Sequence, residues 1–236
     1  MKMHPRRINI LVIIPAYNEE KAIVNVINEI PKEWVQQVVV VNNASTDNTE
    51  LNAKQAGAIV LNEEKKGYGY ACLKGIEYAR QLIPNPDIIV FIDGDYSDYP
   101  QQIPDLILPI TEKNFDLVIG SRVLGKKEKG SLTPQQIFGN ALATLLIRFF
   151  YQVHFTDLGP FRAISFNKLI ALNMQDKTYG WTIEMQIKAA KMKLKCCEIP
   201  VNYRKRIGIS KVSGTLKGSI LAGYKIIFTI IKYLFI

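Results

Sequence analysis

Two kinds of apolar pattern alternate along the first 120 residues. Short, largely β-branched runs (Ile8 to Ile14, Val38 to Val41, Ala58 to Leu61, Ile88 to Ile92, Asp116 to Gly120) are separated by segments whose apolar residues recur every three or four positions, as at Ile23, Val26, Ile27 and Ile30. The runs predict strands, and the 3.6-residue spacing predicts helices, including one from about Asp47 to Gly57 and one over Tyr70 to Gln81. This order predicts an α/β fold with a mostly parallel sheet and helices on both faces. The first run is not a signal peptide, because Pro15-Ala16-Tyr17-Asn18-Glu19-Glu20 follows it where a small-residue cleavage site would stand.

In open sheets of this kind ligands bind beyond the carboxyl ends of the strands. Three polar clusters fall there: Pro15 to Glu19, Asn42-Asn43-Ala44-Ser45-Thr46-Asp47, and Asp93-Gly94-Asp95. No G-x-G-x-x-G follows the first strand, which argues against a dinucleotide fold, and there is no Walker loop. Asp93 and Asp95 end an apolar run, and their spacing places both side chains on one side of an extended chain. A bend at Gly94 would splay them, so that one takes a metal and the other a ligand. Acids in this position also form ordinary turns. A hairpin is excluded, since Tyr96-Ser97-Asp98-Tyr99-Pro100 is no second strand.

After Gly120 the pattern changes. Residues 134 to 152 read as an apolar helix (Ile137, Leu142, Leu145, Leu146, Phe149, Phe150), and residues 216 to 236 repeat the pattern with Leu216, Ile220, Leu221, Tyr224, Ile227, Phe228, Ile231 and Leu234. Lys217, Lys225 and Lys232 interrupt the second one well short of the eighteen or so apolar residues that a bilayer span needs. It is expected to lie in a membrane interface, its lysines reaching lipid phosphates, with packing on the sheet or in a homodimer as the alternative. The chain divides accordingly into 1–212, one domain with the 134–152 helix inserted, and 213–236, a C-terminal interface helix.

Composition sharpens this. At 48% hydrophobic and 22% charged, the 236 residues suit a globular protein, and three cysteines, two of them adjacent at Cys196 and Cys197, suit a reducing, cytosolic compartment. The net charge of +9 is carried by the C-terminal fifth, where residues 186 to 236 hold eleven Lys or Arg against Glu198 alone. A basic end of this kind faces anionic lipid, phosphorylated substrate or nucleic acid. Nucleic acid is set aside, because no binding motif accompanies the charge.

Seven motifs in order resemble the family 2 glycosyltransferases, most closely those that act on polyprenyl or dolichyl phosphate. They are Ile14 to Glu20, Val41 to Asp47, Gly67-Tyr68-Gly69-Tyr70-Ala71, Asp93-Gly94-Asp95, Gly120-Ser121-Arg122, Asp157-Leu158-Gly159-Pro160-Phe161-Arg162, and Arg206-Ile207-Gly208-Ile209-Ser210-Lys211. The resemblance implies a GT-A fold and an inverting hexosyltransferase that uses a nucleotide-diphosphate sugar of the GDP-mannose or UDP-glucose type. It implies that Pro15, Tyr17, Glu19, Asn43, Asp93, Gly94 and Asp95 hold the nucleotide sugar. It also implies that Asp93, Asp95 and Ser97 bind Mg or Mn, and that Asp95 and Asp157 are catalytic. Arg122, Arg206 and Lys211 are the expected contacts of the acceptor phosphate at the cytosolic membrane face. The sequence departs from the pattern at Asn42, where relatives often carry an acid, and at Gln135 and Gln136, where they carry an arginine. Glu184 is a lesser candidate, or a partner of Lys188 at i,i+4 spacing. The alternatives are a transferase acting on a soluble saccharide, a nucleotidyltransferase, and a non-catalytic nucleotide-binding membrane protein.

Overall fold

The computed structural model describes residues 8–208 and 216–235. Its elements are β1 (Ile10–Ala16), α1 (Ile23–Asn28), β2 (Gln37–Asn42), α2 (Thr49–Gln55), β3 (Ile59–Asn62), α3 (Tyr68–Gln81), β4 (Ile88–Phe91), α4 (Ile103–Lys113), β5 (Leu117–Ser121), α5 (Pro134–Tyr151), β6 (Arg162–Ser165), α6 (Phe166–Leu172), α7 (Trp181–Lys191), β7 (Cys196–Pro200) and α8 (Leu216–Lys232). The strands form one seven-stranded sheet in the order β3-β2-β1-β4-β6-β5-β7. All neighbours are parallel except β6, which runs antiparallel to β4 and β5. The expected mostly parallel sheet is therefore present, with one reversed strand that the apolar pattern did not reveal.

The ungapped runs have a physical cause. Along β1, Leu11 and Ile13 enter one core with side chains of α3, α5, α6, α7 and α8, whereas Ile10, Val12 and Ile14 enter a second core with α1, α2 and α4. A strand covered on both faces has no polar side to alternate with. α3 lies so close to β1 that a Cβ at Gly75 would come within 2.6 Å of the Ile13 side chain.

β6 is short and opens with an arginine. Arg162 is fully buried, and its guanidinium donates to the carbonyls of Leu158, Gly159 and Thr182. That carbonyl cage lets a charged residue occupy a central strand while it fixes the 156–160 loop. Burial still pushes its pKa down to about 10.

α5 starts at a capping box formed by Thr133 and Gln136. α8 packs against α5 and α7. Ile230 and Tyr233 are in the core. Tyr233 Oη donates to Glu184 (2.6 Å), Tyr151 Oη donates to the Ile230 carbonyl (2.6 Å), and Lys225 pairs with Asp176 (2.9 Å). The outer faces of both helices stay bare: Ile137, Phe138, Leu145, Phe149 and Phe150 on α5, and Leu221, Tyr224, Ile227, Phe228 and Ile231 on α8, are exposed. Among the described residues no helix is long and apolar enough to cross a membrane. The expected boundary at 212 lies outside the described residues.

Candidate active site

Because β1, β2, β4 and β5 are parallel, their carboxyl ends share one rim, and the loops that leave it interlock. The Asn18 amide donates to Ser45 Oγ (3.0 Å), and the Thr46 amide to Asn18 Oδ1 (2.8 Å). Asn18 and Ala44 take left-handed backbone angles at these crossings. Together the loops wall a cavity of about 330 Å³ that is lined by Pro15, Tyr17, Glu19, Asn43, Asp93, Gly94, Asp95 and Arg206 among others. Every residue expected to hold a nucleotide sugar therefore meets in one place.

The details differ from the expectation at several positions. Asn43 is on the wall, but its amide donates to the Glu63 and Lys65 carbonyls and its carbonyl accepts from the Gly67 amide, so it clamps the 63–67 loop. Asn42 turns away into a contact with Asn62 (3.0 Å). Ser97 is fully buried outside the cavity wall. Its amide (2.9 Å) and hydroxyl (2.5 Å) both donate to Asp95 Oδ1 and fix that carboxylate. Asp95 Oδ2 meets Arg206 Nη1 at 3.2 Å, and Arg206 Nη2 meets Glu19 at 3.1 Å. Arg206, expected at an acceptor phosphate, thus sits in the cavity of the two acids. Lys211 lies outside the described residues.

The cavity floor can hold a cation or a sugar hydroxyl. Asp93 Oδ1 and Tyr68 Oη are buried there, near enough to act on each other but without a well-formed hydrogen bond, and a buried polar atom left poorly paired is costly unless a ligand or water completes it. Burial, with the charge of Asp95 added, pushes the Asp93 carboxyl up to about 7 against the pull of Arg206. Oxygen ligands of this kind suit Mg or Mn. Among the described residues no group of three or more His, Cys, Asp or Glu is arranged to hold a metal ion by itself.

Asp157 is buried on the far side of Arg122. It accepts from the Arg122 amide (2.8 Å), Nε (2.8 Å) and Nη2 (2.6 Å), while Glu198 takes the amides of Thr156 and Asp157. Burial disfavours the Arg122 charge, but Asp157 outweighs it and holds the guanidinium ionised. Oδ2 takes two of these hydrogen bonds and Oδ1 the third, so the carboxylate holds the Arg122 guanidinium in place. Glu184 is fully buried and accepts from the Gln175 and Asp176 amides, Tyr233 and Lys188. It ties α7 and α8 together and borders neither cavity.

Arg122 and Asp157 also border a second cavity of about 420 Å³. Gln136, Asn140, Thr144 and Arg148, four residues apart on α5, line it as a polar stripe, with Ile137, Ala141 and Leu145 beside them and Lys127 and His154 at its edge. Asn140 spans to the 156–158 loop through Thr156 O (2.9 Å) and Leu158 N (2.9 Å). Sequence reasoning gave Arg148 and His154 no role, although the i,i+4 stripe was visible in it. It also missed Thr178 and Tyr179 on the first cavity. Gly69 was the available signal, since a Cβ there would lie 2.1 Å from the Asp176 carbonyl and only glycine lets that loop approach α3.

The family model described as glycosyl transferase family 2 matches residues 11–172. A UDP-N-acetylglucosamine–dolichyl-phosphate N-acetylglucosaminyltransferase of Methanococcus voltae is 29% identical over 94% of this chain and 94% of its own. An undecaprenyl-phosphate mannosyltransferase of Micrococcus luteus is 29% identical over 89% of each. Among solved structures, glucosyl-3-phosphoglycerate synthase from Mycobacterium tuberculosis, in complex with Mn2+, UDP and glucosyl-3-phosphoglycerate, superposes with a TM-score of 0.76 at 23% identity, covering 97% of this chain and 80% of that one. That likeness shows the GT-A fold.

Proposed function

The chain belongs to glycosyl transferase family 2, and we propose that it transfers a hexose from a nucleotide-diphosphate sugar to a polyprenyl phosphate at the cytosolic face of a membrane. The observation that carries this reading is Arg122 on the wall of the second cavity, its guanidinium gripped by Asp157. A hydroxyl acceptor needs a base, whereas a phosphate monoester is already ionised near neutral pH and needs a cation and a good position. The second cavity offers such a cation in Arg122, held by Asp157 through Nε and Nη2.

In this account the nucleotide sugar occupies the first cavity, against Pro15, Tyr17, Glu19 and Asn43, with its diphosphate toward Asp93, Gly94 and Asp95. Asp95 Oδ2 and Asp93 Oδ1 are the oxygens that would hold Mg or Mn. When bound, such an ion would supply several kcal/mol of stabilisation to the charge that develops on the departing diphosphate. Arg122, with Lys127 and Arg148 along the second cavity, receives the acceptor phosphate, and the apolar side of α5 receives the start of the chain. The phosphate oxygen bonds to the anomeric carbon as the bond to the diphosphate breaks on the opposite face, which inverts the configuration. The electron pair leaves with the nucleoside diphosphate, and no proton has to move. The bare faces of α5 and α8 would lie in the lipid interface, so that α8 acts as an interface helix docked on α5 and α7.

The similarity to two enzymes named for polyprenyl phosphates supports the acceptor class. Melting curves with UDP- and GDP-sugars, each with and without Mn2+, test the donor half. A metal-dependent rise with one base is expected, and no rise with any donor would overturn the reading.

A further inference from the structure

Arg206 has a position that transfer alone does not explain. Its guanidinium bridges Asp95 Oδ2 and Glu19, the two acids at the mouth of the first cavity. The backbone that carries it is fixed on the Asp95 loop. Two residues earlier, the Arg204 guanidinium stacks on the rings of Tyr96 and Tyr99 and donates to Glu29 and to the carbonyls of Tyr96 and Asp98. One residue later, the Ile207 amide donates to the Asp95 carbonyl (2.9 Å). The Arg206 side chain is held less completely: it is 28% exposed and its Nε has no partner.

Ser97 occupies Asp95 Oδ1, so Oδ2 is the oxygen that faces the cavity, and Arg206 lies 3.2 Å from it. A magnesium ion bonds a carboxylate oxygen at about 2.0–2.1 Å. It would therefore meet a like charge on the same atom, and a metal ion alone has to dislodge the guanidinium from both carboxylates. A metal that arrives with a diphosphate brings several negative oxygens, to which a guanidinium bonds in bidentate fashion. The cost of dislodging Arg206 is then offset within the same event.

We propose that Arg206 is a resident counter-cation of the donor site, which makes divalent-ion binding conditional on the nucleotide diphosphate. The inference rests on the donor-site reading above. It places Arg206 on the donor side of the reaction, and it keeps the site from filling with free metal.

The test is the affinity of the full chain for Mn2+, measured by calorimetry with and without UDP or GDP, in wild type, Arg206→Met and Arg206→Lys. The Met variant should bind Mn2+ alone about tenfold more tightly, within the usual range of coupling between two ligands. The factor by which nucleotide tightens Mn2+ binding should shrink to match, and the Lys variant, which keeps the charge but not the fork, should fall between wild type and Met. A folded Met variant that binds nucleotide but whose Mn2+ affinity is unchanged or weaker overturns the proposal alone. If wild type binds no Mn2+ even with nucleotide, the donor-site reading falls and this proposal with it. Should the Met variant not fold, Arg206→Gln replaces it in the same comparison.

Discussion

Replacing Asp157 by Asn separates two mechanisms that give the residue equal importance. The carboxylate is 1% exposed and takes three hydrogen bonds from Arg122, whose own side chain is 13% exposed. Breaking a buried ion pair on one side costs about 3–5 kcal/mol, since the partner charge stays behind unpaired. For a domain of this size that is a fall in melting temperature of roughly 6–20 °C, at about 2–4 °C per kcal/mol. If Asp157 only holds Arg122, then Arg122→Met should lower kcat to a similar degree. The double variant should be little worse than either single one, with a coupling energy of about 2–3 kcal/mol. The pH–rate profile of the weakened Asp157→Asn enzyme should keep the shape of the wild type. Stability by urea titration and activity against a lipid phosphate are measured on the same four proteins. A severe kcat loss in Asp157→Asn with a mild one in Arg122→Met, and loss of the acidic limb of the profile, would identify Asp157 as a base and refute the reasoning.

Two further outcomes follow from the geometry. The Asp93 carboxyl sits at about 7 in the folded protein, against about 4 when unfolded, so the folded state binds its proton more tightly and the unfolding free energy falls as pH rises from about 4 to 7. In metal-free protein Asp93→Asn should remove that slope and so gain stability relative to wild type between about pH 4 and pH 8; urea midpoints at the two pH values check this, and parallel curves would contradict it. Exchanging Phe138, Phe149 and Phe228 for Ser, all exposed, should weaken sedimentation with anionic vesicles more than about tenfold, because each ring can bury about 1.5–3 kcal/mol of apolar surface. Undiminished sedimentation would remove this face from the membrane account.

The strands read most directly were those whose sequence had no choice of face. β1 and β4 are apolar throughout, and β2 over Val38 to Val41, because helices cover both sides. β6 escaped notice, since a four-residue strand that begins with Arg162 carries no such signature until its carbonyl cage is known. β7 escaped for the opposite reason: as an edge strand it is only half buried. The site was legible where loops follow strands, because rim position depends on strand order alone. Partner choice was not, because Asn43, Ser97 and Asp157 show residue types that suit a ligand but are already engaged by backbone or neighbours. Arg206 was expected at the acceptor phosphate with Arg122 and Lys211, and only the return of its segment over the Asp95 loop brings it to the donor side.

The central claim is the identity of the nucleophile, and product analysis tests it most directly. Purified protein is incubated with Mn2+, the stabilising nucleotide sugar labelled in its hexose, and an equal mixture of a short polyprenyl phosphate and soluble phosphorylated and saccharide acceptors. The account predicts label in an inverted, singly charged lipid phosphohexose, with none in the soluble acceptors and none without the metal. Label in a soluble product while the lipid stays unmodified would contradict it.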